Sequence, residues 1–347
     1  MNVNRIELPE STDALLVTKP ENVRYLSGFT APEDAWVLWR PEGGLLLTDA
    51  RYAEQAPAES RLPVEIVNPR EGRGFLEPHV RGLRVGYEAG HLPCAELERL
   101  GEATTARWQA TAGIVEKART VKTSEEIARI RASAELADRG FAFVLELLRA
   151  GARERDLALE LEFWLRKQGA EGPAFDFIVA SGPRGALPHG VASDKVIEAG
   201  ELVTLDFGAI VGGYRSDMTR TVAVGSVAPE LRRIFDVTLA ALEAALEAAR
   251  PGVRARELDA VARGVIVEAG YGERFVHSLG HGVGLEIHEA PFLHRSSEDV
   301  LEPGMVVTLE PGIYVPGVGG VRIEELVVVT ASGIELLCHS PRGWTEV

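Results

Sequence analysis

Apolar and polar positions give the chain two different textures. Up to residue 116, short apolar runs alternate with turn residues. DALLVT (13–18), AWVLWR (35–40), GLLLTD (44–49), VEIVN (64–68) and LRVGYE (83–88) have the length and the Pro/Gly boundaries of buried strands. The segment 49–58 has amphipathic helical spacing, and a further helix is predicted around 95–100. Strands alternating with helices define a small α/β domain over residues 1–116.

From residue 121 the apolar spacing changes to three and four. Thr123 and Glu126 stand at the distance of a capping box, in which each side chain satisfies a free backbone N–H. Ile127, Ile130, Ala134, Ala137, Phe141, Val144 and Leu148 then continue one amphipathic helix to Gly151. A second helix is predicted over 154–168, followed by strands at 175–181, 201–211 and 214–224. The order then repeats, with helices at 229–250 and 255–269 and strands at 305–315 and 321–330. Two helices and then strands, twice over, predict two similar halves around a shared sheet in residues 121–347.

The 347 residues, 46% apolar, are enough for two domains with sizeable cores. A net charge of −15 excludes a nucleic-acid partner, because phosphate binding needs a basic face. Cys94 and Cys338 stand far apart, so neither a disulfide framework nor a thiolate-rich zinc site is expected. The opening MNVNRIELPE lacks the charged start and apolar block of a secretion signal. No run of about 18 apolar residues marks a membrane span, so a cytoplasmic protein is expected.

Four acidic residues interrupt apolar strand runs: Asp206 in VTLDFG, Asp217 in SDMTRT, Glu310 in VVTLEPG and Glu324 in VRIEE. A buried carboxylate is costly unless it is paired or bound to a metal. Each has an ordinary reading by itself. Asp206 could cap a turn, Asp217 could pair with Arg215 or Arg220, and Glu324 with Arg322. Four such coincidences are harder to accept, since few cations are placed to neutralise them all, whereas two divalent metals would do so.

FVHSLGHGVGLEIHEAP (275–291) adds His277, His281 and His288, in a stretch where Gly280, Gly282 and Gly284 would let backbone pass close to a ligand or metal. His189, in LPHGVAS, reads as a loop histidine. No GxSxG elbow, HExxH helix or phosphate loop offers a competing chemistry.

These residues resemble the pita-bread metallopeptidases, in the branch of prolidase (Xaa-Pro dipeptidase) and aminopeptidase P. The matching elements are PHG (188–190), LDFG (205–208), SDMTRT (216–221), HSLGHGVGLEIHE (277–289), EPG (310–312) and RIEE (322–325). YLSGF (25–29) and TDARYAEQA (48–56) resemble the branch's smaller domain in outline. The resemblance implies an α+β pita-bread catalytic domain with pseudo-two-fold halves behind the α/β N-terminal domain. It implies that Asp206 chelates one metal, that His281 and Glu310 hold the other, and that Asp217 and Glu324 bridge them. The oxygen-rich set suits manganese or cobalt first and zinc third. By the same resemblance, Glu310 shuttles a proton to the leaving nitrogen and His288 hydrogen-bonds the developing oxyanion. His277 and His189 line the proline pocket, and Arg322 orients the bridging carboxylates.

The implied reaction is hydrolysis of the peptide bond before proline in short peptides by a homodimer. Dipeptides are favoured, with longer Xaa-Pro peptides as the alternative. Many prolidases carry an arginine directly after the HExP element; here that position is Phe292, and Arg295 follows. Methionine aminopeptidase would leave the first 116 residues without a purpose. A creatinase-like enzyme or a silent binding module would be expected to have lost ligands, and all five are present.

Overall fold

The computed structural model describes residues 6–347; the first five, part of the opening read for a secretion signal, lie outside them. The chain forms two compact units, one through Arg119 and one from Thr120 onward.

The first unit runs β1 (Ala14–Val17), α1 (Pro20–Ser27), β2 (Ala35–Arg40), β3 (Gly43–Asp49), α2 (Gln55–Glu59), β4 (Val64–Val67), α3 (Glu77–Val80), β5 (Arg84–Glu88), α4 (Cys94–Ala103), β6 (Arg107–Thr111) and α5 (Ile114–Thr120). Its strands form one mixed sheet in the order β4-β3-β2-β1-β5-β6. Leu16, Leu38, Leu47, Val85 and Leu100 are buried in its core. The five predicted strands all form. The helix predicted over 49–58 does not run unbroken. Asp49 accepts a hydrogen bond from the Arg51 N–H and starts a separate 3₁₀ turn. Pro57, three residues into α2, has no N–H to give the Ala53 carbonyl. Patterning missed α1, α3, β6 and α5: α1 is short and mostly polar, α3 is a single turn, and β6 is only partly buried.

The second unit opens on the paired helices α6 (Ser124–Leu147) and α7 (Glu154–Lys167). Strands β7 (Gly172–Pro173), β8 (Ile178–Ser181), β9 (Glu201–Phe207), β10 (Ala209–Val211), β11 (Tyr214–Arg215) and β12 (Met218–Val224) follow. The second half repeats this with α8 (Pro229–Ala248) and α9 (Ala255–Glu268), then β13 (Gly280–Gly282), β14 (Glu289–Leu293), β15 (Val306–Leu309), β16 (Gly312–Val315), β17 (Gly319–Arg322), β18 (Glu325–Val329) and β19 (Ile334–Leu336). Ile234, Phe235, Leu242, Leu258 and Ile266 of α8 and α9 share a buried core with Val307, Leu309 and Val327. The capping box at the start of α6 is present: Glu126 accepts from the Thr123 N–H at 2.8 Å, and its own N–H donates to Thr123 Oγ1. Thr123→Ala is therefore expected to cost about 1 kcal/mol. A thermal melt would read that as a drop of roughly 2–4 °C, with activity unchanged.

The strands of the two halves fall into separate sheets, β12-β9-β8 and β14-β13-β15-β18-β19, instead of one shared sheet. They are joined where the Glu324 N–H donates to the Thr219 carbonyl and Thr221 Oγ1 donates to the Arg322 carbonyl. Four predicted strands are also broken in two. At Gly208, between β9 and β10, a Cβ would lie 1.9 Å from the Ser216 carbonyl oxygen, so no larger residue fits this crossing. Pro311 separates β15 from β16 because it cannot donate to a ladder. Residues 216–217 and 323–324 form the other two breaks. Of the four acids read as lying within strands, only Asp206 does so; Asp217, Glu310 and Glu324 occupy the breaks. There the backbone leaves the ladder, and a side chain is no longer confined to one face of a pleat.

Candidate metal centre

These breaks bring the acids together. Asp206 lies opposite Thr219 in the β9–β12 register. Glu324 accepts from Thr219 Oγ1 at 2.8 Å, so one threonine ties the two halves to each other at this point. Carboxylate oxygens of Asp206, Asp217 and Glu324 all lie within 4.8 Å of one another, and all three residues are buried. Glu310 is fixed through its N–H, which donates to the Leu279 carbonyl at 2.8 Å. His281, in β13, donates from Nδ1 to the Gly282 carbonyl at 3.1 Å. That directs Nε2 into the cluster, 3.3 Å from Glu310 Oε1 and 3.6 Å from Asp217 Oδ2.

So much negative charge in a buried space has electrostatic consequences. Burial, reinforced by repulsion from neighbouring carboxylates, holds Asp217 and Glu324 well above the usual carboxylate range. Burial also raises Asp206, against the pull of Arg322. Glu310 goes the other way: burial pushes it up, but its hydrogen bond with His281 and the charge there bring it down to about 2. Asp206 Oδ1 and Glu324 Oε1 are buried with no hydrogen-bond partner among the described residues. Orphaned carboxylate oxygens amid mutually repelling acids are what a divalent cation would satisfy. The donor set fits such a cation.

The remaining candidates lie around this cluster. Arg322 reaches Asp206 through NH2, where the resemblance had it orient Asp217 and Glu324. It also donates to Tyr314 Oη at 2.7 Å, to Thr219 Oγ1 and to the Pro188 carbonyl. Tyr314 Oη in turn donates to His277 Nε2 at 2.8 Å, while His277 Nδ1 donates to the Ser278 carbonyl. Both nitrogens of His277 are thus engaged, and only its ring carbons remain for a ligand. Its segment is pinned to α9 by Asp259, which accepts from the Leu279 N–H, and by Arg263, which donates to the Phe275 and His277 carbonyls. His288 is exposed, yet its ring meets that of His281 edge-on at 4.3 Å. Partial burial and the charges at His281 and His189 push its pKa down. The residue after it, Glu289, forms a buried ion pair with Lys122 at 2.9 Å. His189 lies exposed on the loop after β8.

Arg220, offered above as a partner for Asp217, pairs with Glu325 instead. The glycines of the GHGVG run also need a different account. Added Cβ atoms at Gly280, Gly282 and Gly284 would strike the Thr308 carbonyl, the Ala290 carbonyl and the Glu289 carboxylate at 2.1–2.4 Å. The close neighbours that demand glycine are protein groups, not a ligand. Sequence reasoning missed Tyr314, Thr219 and Asp259. A tyrosine in GIYV or a threonine in MTRTV reads as ordinary strand filling, and only the Asp259-x-x-x-Arg263 helical spacing gave any signal.

Comparisons with known proteins agree with this architecture. Residues 9–121 match the creatinase/prolidase N-terminal domain, and residues 128–331 match metallopeptidase family M24. The chain is 42% identical over 333 residues to an Xaa-Pro dipeptidase of Pyrococcus furiosus, covering 96% of this chain and 95% of that one. A solved Xaa-Pro dipeptidase from Bacillus anthracis is similar at 43% identity and a TM-score of 0.93, covering 97% of this chain and 95% of that one. An X-Pro aminopeptidase from Thermotoga maritima is similar at 38% identity and a TM-score of 0.89, covering 97% and 98%. With its pita-bread fold, creatinase-type N-terminal domain and buried carboxylate cluster, this chain belongs to metallopeptidase family M24.

Proposed function

We propose that this protein hydrolyses the peptide bond before proline, with Xaa-Pro dipeptides as its main substrates. The observation that carries the reading is the convergence of Asp206, Asp217, Glu324, Glu310 and His281 on one buried space with two orphaned carboxylate oxygens. Full-length similarity to Xaa-Pro dipeptidases supports it. Asp206 and the His281–Glu310 pair would each hold one divalent ion, with Asp217 and Glu324 between them. Four carboxylates and one imidazole favour manganese or cobalt over zinc. Bound divalent ions supply Lewis-acid polarisation of a carbonyl and acidify water.

The protein's own groups do the rest. Glu310 would carry a proton to the leaving nitrogen. His288 would donate to the oxygen on which charge develops. Arg322 would hold Asp206 ionised and in place, and the ring carbons of His277 with His189 would bound the proline site. An Xaa-Pro bond has no N–H and its ring fixes φ, so recognition by shape replaces recognition by hydrogen bonding. The test is release of proline from Ala-Pro: lost on chelation, restored by manganese or cobalt. Full activity without metal would overturn the reading.

The residue that separates dipeptides from longer peptides is Arg295. It is exposed on the turn after β14, and its guanidinium makes no ion pair or hydrogen bond among the described residues. A free proline carboxylate would be its counter-ion. Arg295→Ala is expected to raise KM for Ala-Pro roughly tenfold, the weight of one partly exposed charge-assisted contact, and to leave a tripeptide such as Ala-Pro-Ala unaffected. Phe292, where many prolidases carry arginine, favours a second reading as an aminopeptidase. Much faster wild-type cleavage of Ala-Pro-Ala than of Ala-Pro would establish that reading. The proposal includes a cytoplasmic homodimer, to be checked by mass in solution. No helix among the described residues is long and apolar enough to cross a membrane.

A further inference from the structure

The loop that carries His189 is fastened at both ends to a single side chain far along the sequence from the acids. Glu154, the first residue of α7, is fully buried. Its Oε1 accepts from the Ser181 N–H at 2.7 Å and from Ser181 Oγ at 2.8 Å, where the loop leaves β8. Its Oε2 accepts from Ser193 Oγ at 2.7 Å and the Ser193 N–H at 3.1 Å, where the loop ends. Arg184, inside the loop, completes the clasp by pairing with Oε2 and donating from NH2 to the Val191 carbonyl at 2.8 Å. A buried carboxylate with five donors is fully satisfied and geometrically fixed. On the far side, the Arg322 guanidinium holds the Pro188 carbonyl at 3.0 Å, so the loop spans from the α7 terminus to the acid cluster.

Beyond this clasp the base of the loop packs on its neighbours, with Gly185 against Gly320 of β17 and the Ala192 N–H donating to the Phe177 carbonyl, while its tip is open. His189 is exposed, and Leu187 and Val191 on either side of it are half exposed. Apolar side chains presented this way flank the histidine without packing into the core. The residue before the histidine, Pro188, is held by the same Arg322 guanidinium that reaches Asp206, which brings this stretch of the loop to the edge of the acid cluster.

We propose that Glu154 is a positioning residue for substrate binding: it holds both ends of the 181–193 loop so that Leu187, His189 and Val191 form one wall of the site. The proposal rests on the reading that His189 faces the substrate of a proline-specific peptidase. The side-chain partners of Glu154 are Ser181, Arg184 and Ser193 and include none of the five candidate metal ligands, so its loss should weaken binding and leave the reacting groups as they are. Glu154→Gln keeps the size but cannot pair with Arg184. It is expected to raise KM for Ala-Pro about tenfold with kcat within about threefold of wild type. Metal content should be unchanged, and amide exchange over 182–192 should be faster than in the wild type.

Arg184→Met, on the surface side of the clasp, is expected to give the same pattern at about threefold in KM and guards against a misfolded Glu154 variant. Glu154→Asp should recover part of the binding. A wild-type KM in both Glu154→Gln and Arg184→Met would overturn the proposal. So would a loss confined to kcat or accompanied by loss of metal. Wild-type turnover of Ala-Pro, measured alongside, separates the two readings: if the wild type is inactive, the proposed function fails, whereas an active wild type with indifferent variants defeats only the positioning role.

Discussion

Asp217→Asn is expected to lose most of its bound metal and to lower proline release by more than 100-fold, beyond the roughly 10–100-fold typical of residues that only support a metal ligand. The substitution keeps the shape and removes one charge from the centre of the buried cluster, where Asp217 Oδ2 faces His281 and its neighbours are Asp206 and Glu324. A second consequence has the opposite sign. Without metal, Asp217 and Glu324 are held well above the usual carboxylate range, first by burial and then by neighbouring carboxylates, Glu324 acting on Asp217 and Glu310 on Glu324. The folded chain therefore keeps protons that the unfolded chain has released. By linkage, stability from these groups is present at and below the usual carboxylate range, near pH 4. It falls as pH climbs from there through the raised values. Chelated wild type should thus lose ground against chelated Asp217→Asn as pH rises, because the variant has one fewer charge to repel. Metal analysis and paired thermal melts at about pH 5 and pH 8 would check both. A variant that retains its metal, or a stability difference that does not widen with pH, would count against the cluster as a metal centre.

The acids were visible in the sequence for the same reason that they are costly in the fold: carboxylates in apolar runs need an account. Their geometry was not visible. Period-two alternation placed Asp206 correctly on β9, but VVTLEPGIYV and VRIEELVVVT read as continuous strands because their apolar content never drops. Pro311 and the Ile323–Glu324 break interrupt the ladder without interrupting the hydrophobicity, and that is where Glu310 and Glu324 turn inward. Helices with a strong stripe and a cap, such as α6 with Thr123 and Glu126, were legible nearly to the residue. Short elements held by tertiary contact were not. The polar helix α1 is anchored from outside: Glu88 accepts from the Thr18 and Lys19 N–H groups and from Asn22. Nothing local in PENVRYLS announces that carboxylate. The same limit hid Tyr314 and Glu154, whose partners lie 8 to 39 residues away.

His288→Ala should keep its metal and lose turnover, with kcat down roughly 10²–10³-fold, the usual cost of one oxyanion donor, and KM little changed. His288 is not one of the residues whose oxygens crowd together, and its ring meets His281 edge-on, not through a nitrogen shared with the acids. Its pKa is pushed down, first by partial burial, which favours a neutral imidazole with an N–H to donate. A neutral donor binds a ground-state carbonyl weakly and gains as negative charge collects on the oxygen. Its removal should therefore appear in kcat and in kcat/KM by the same factor. Asp217→Asn should differ, since there activity falls with metal content and excess manganese restores part of it. Steady-state kinetics on the metal-loaded variant, with metal counted in the same preparation, makes the distinction. Loss of an ion in His288→Ala would make His288 a ligand, and an unchanged kcat would leave the developing charge to another donor. Equal losses in kcat and kcat/KM at full metal content would place the histidine on the substrate oxygen.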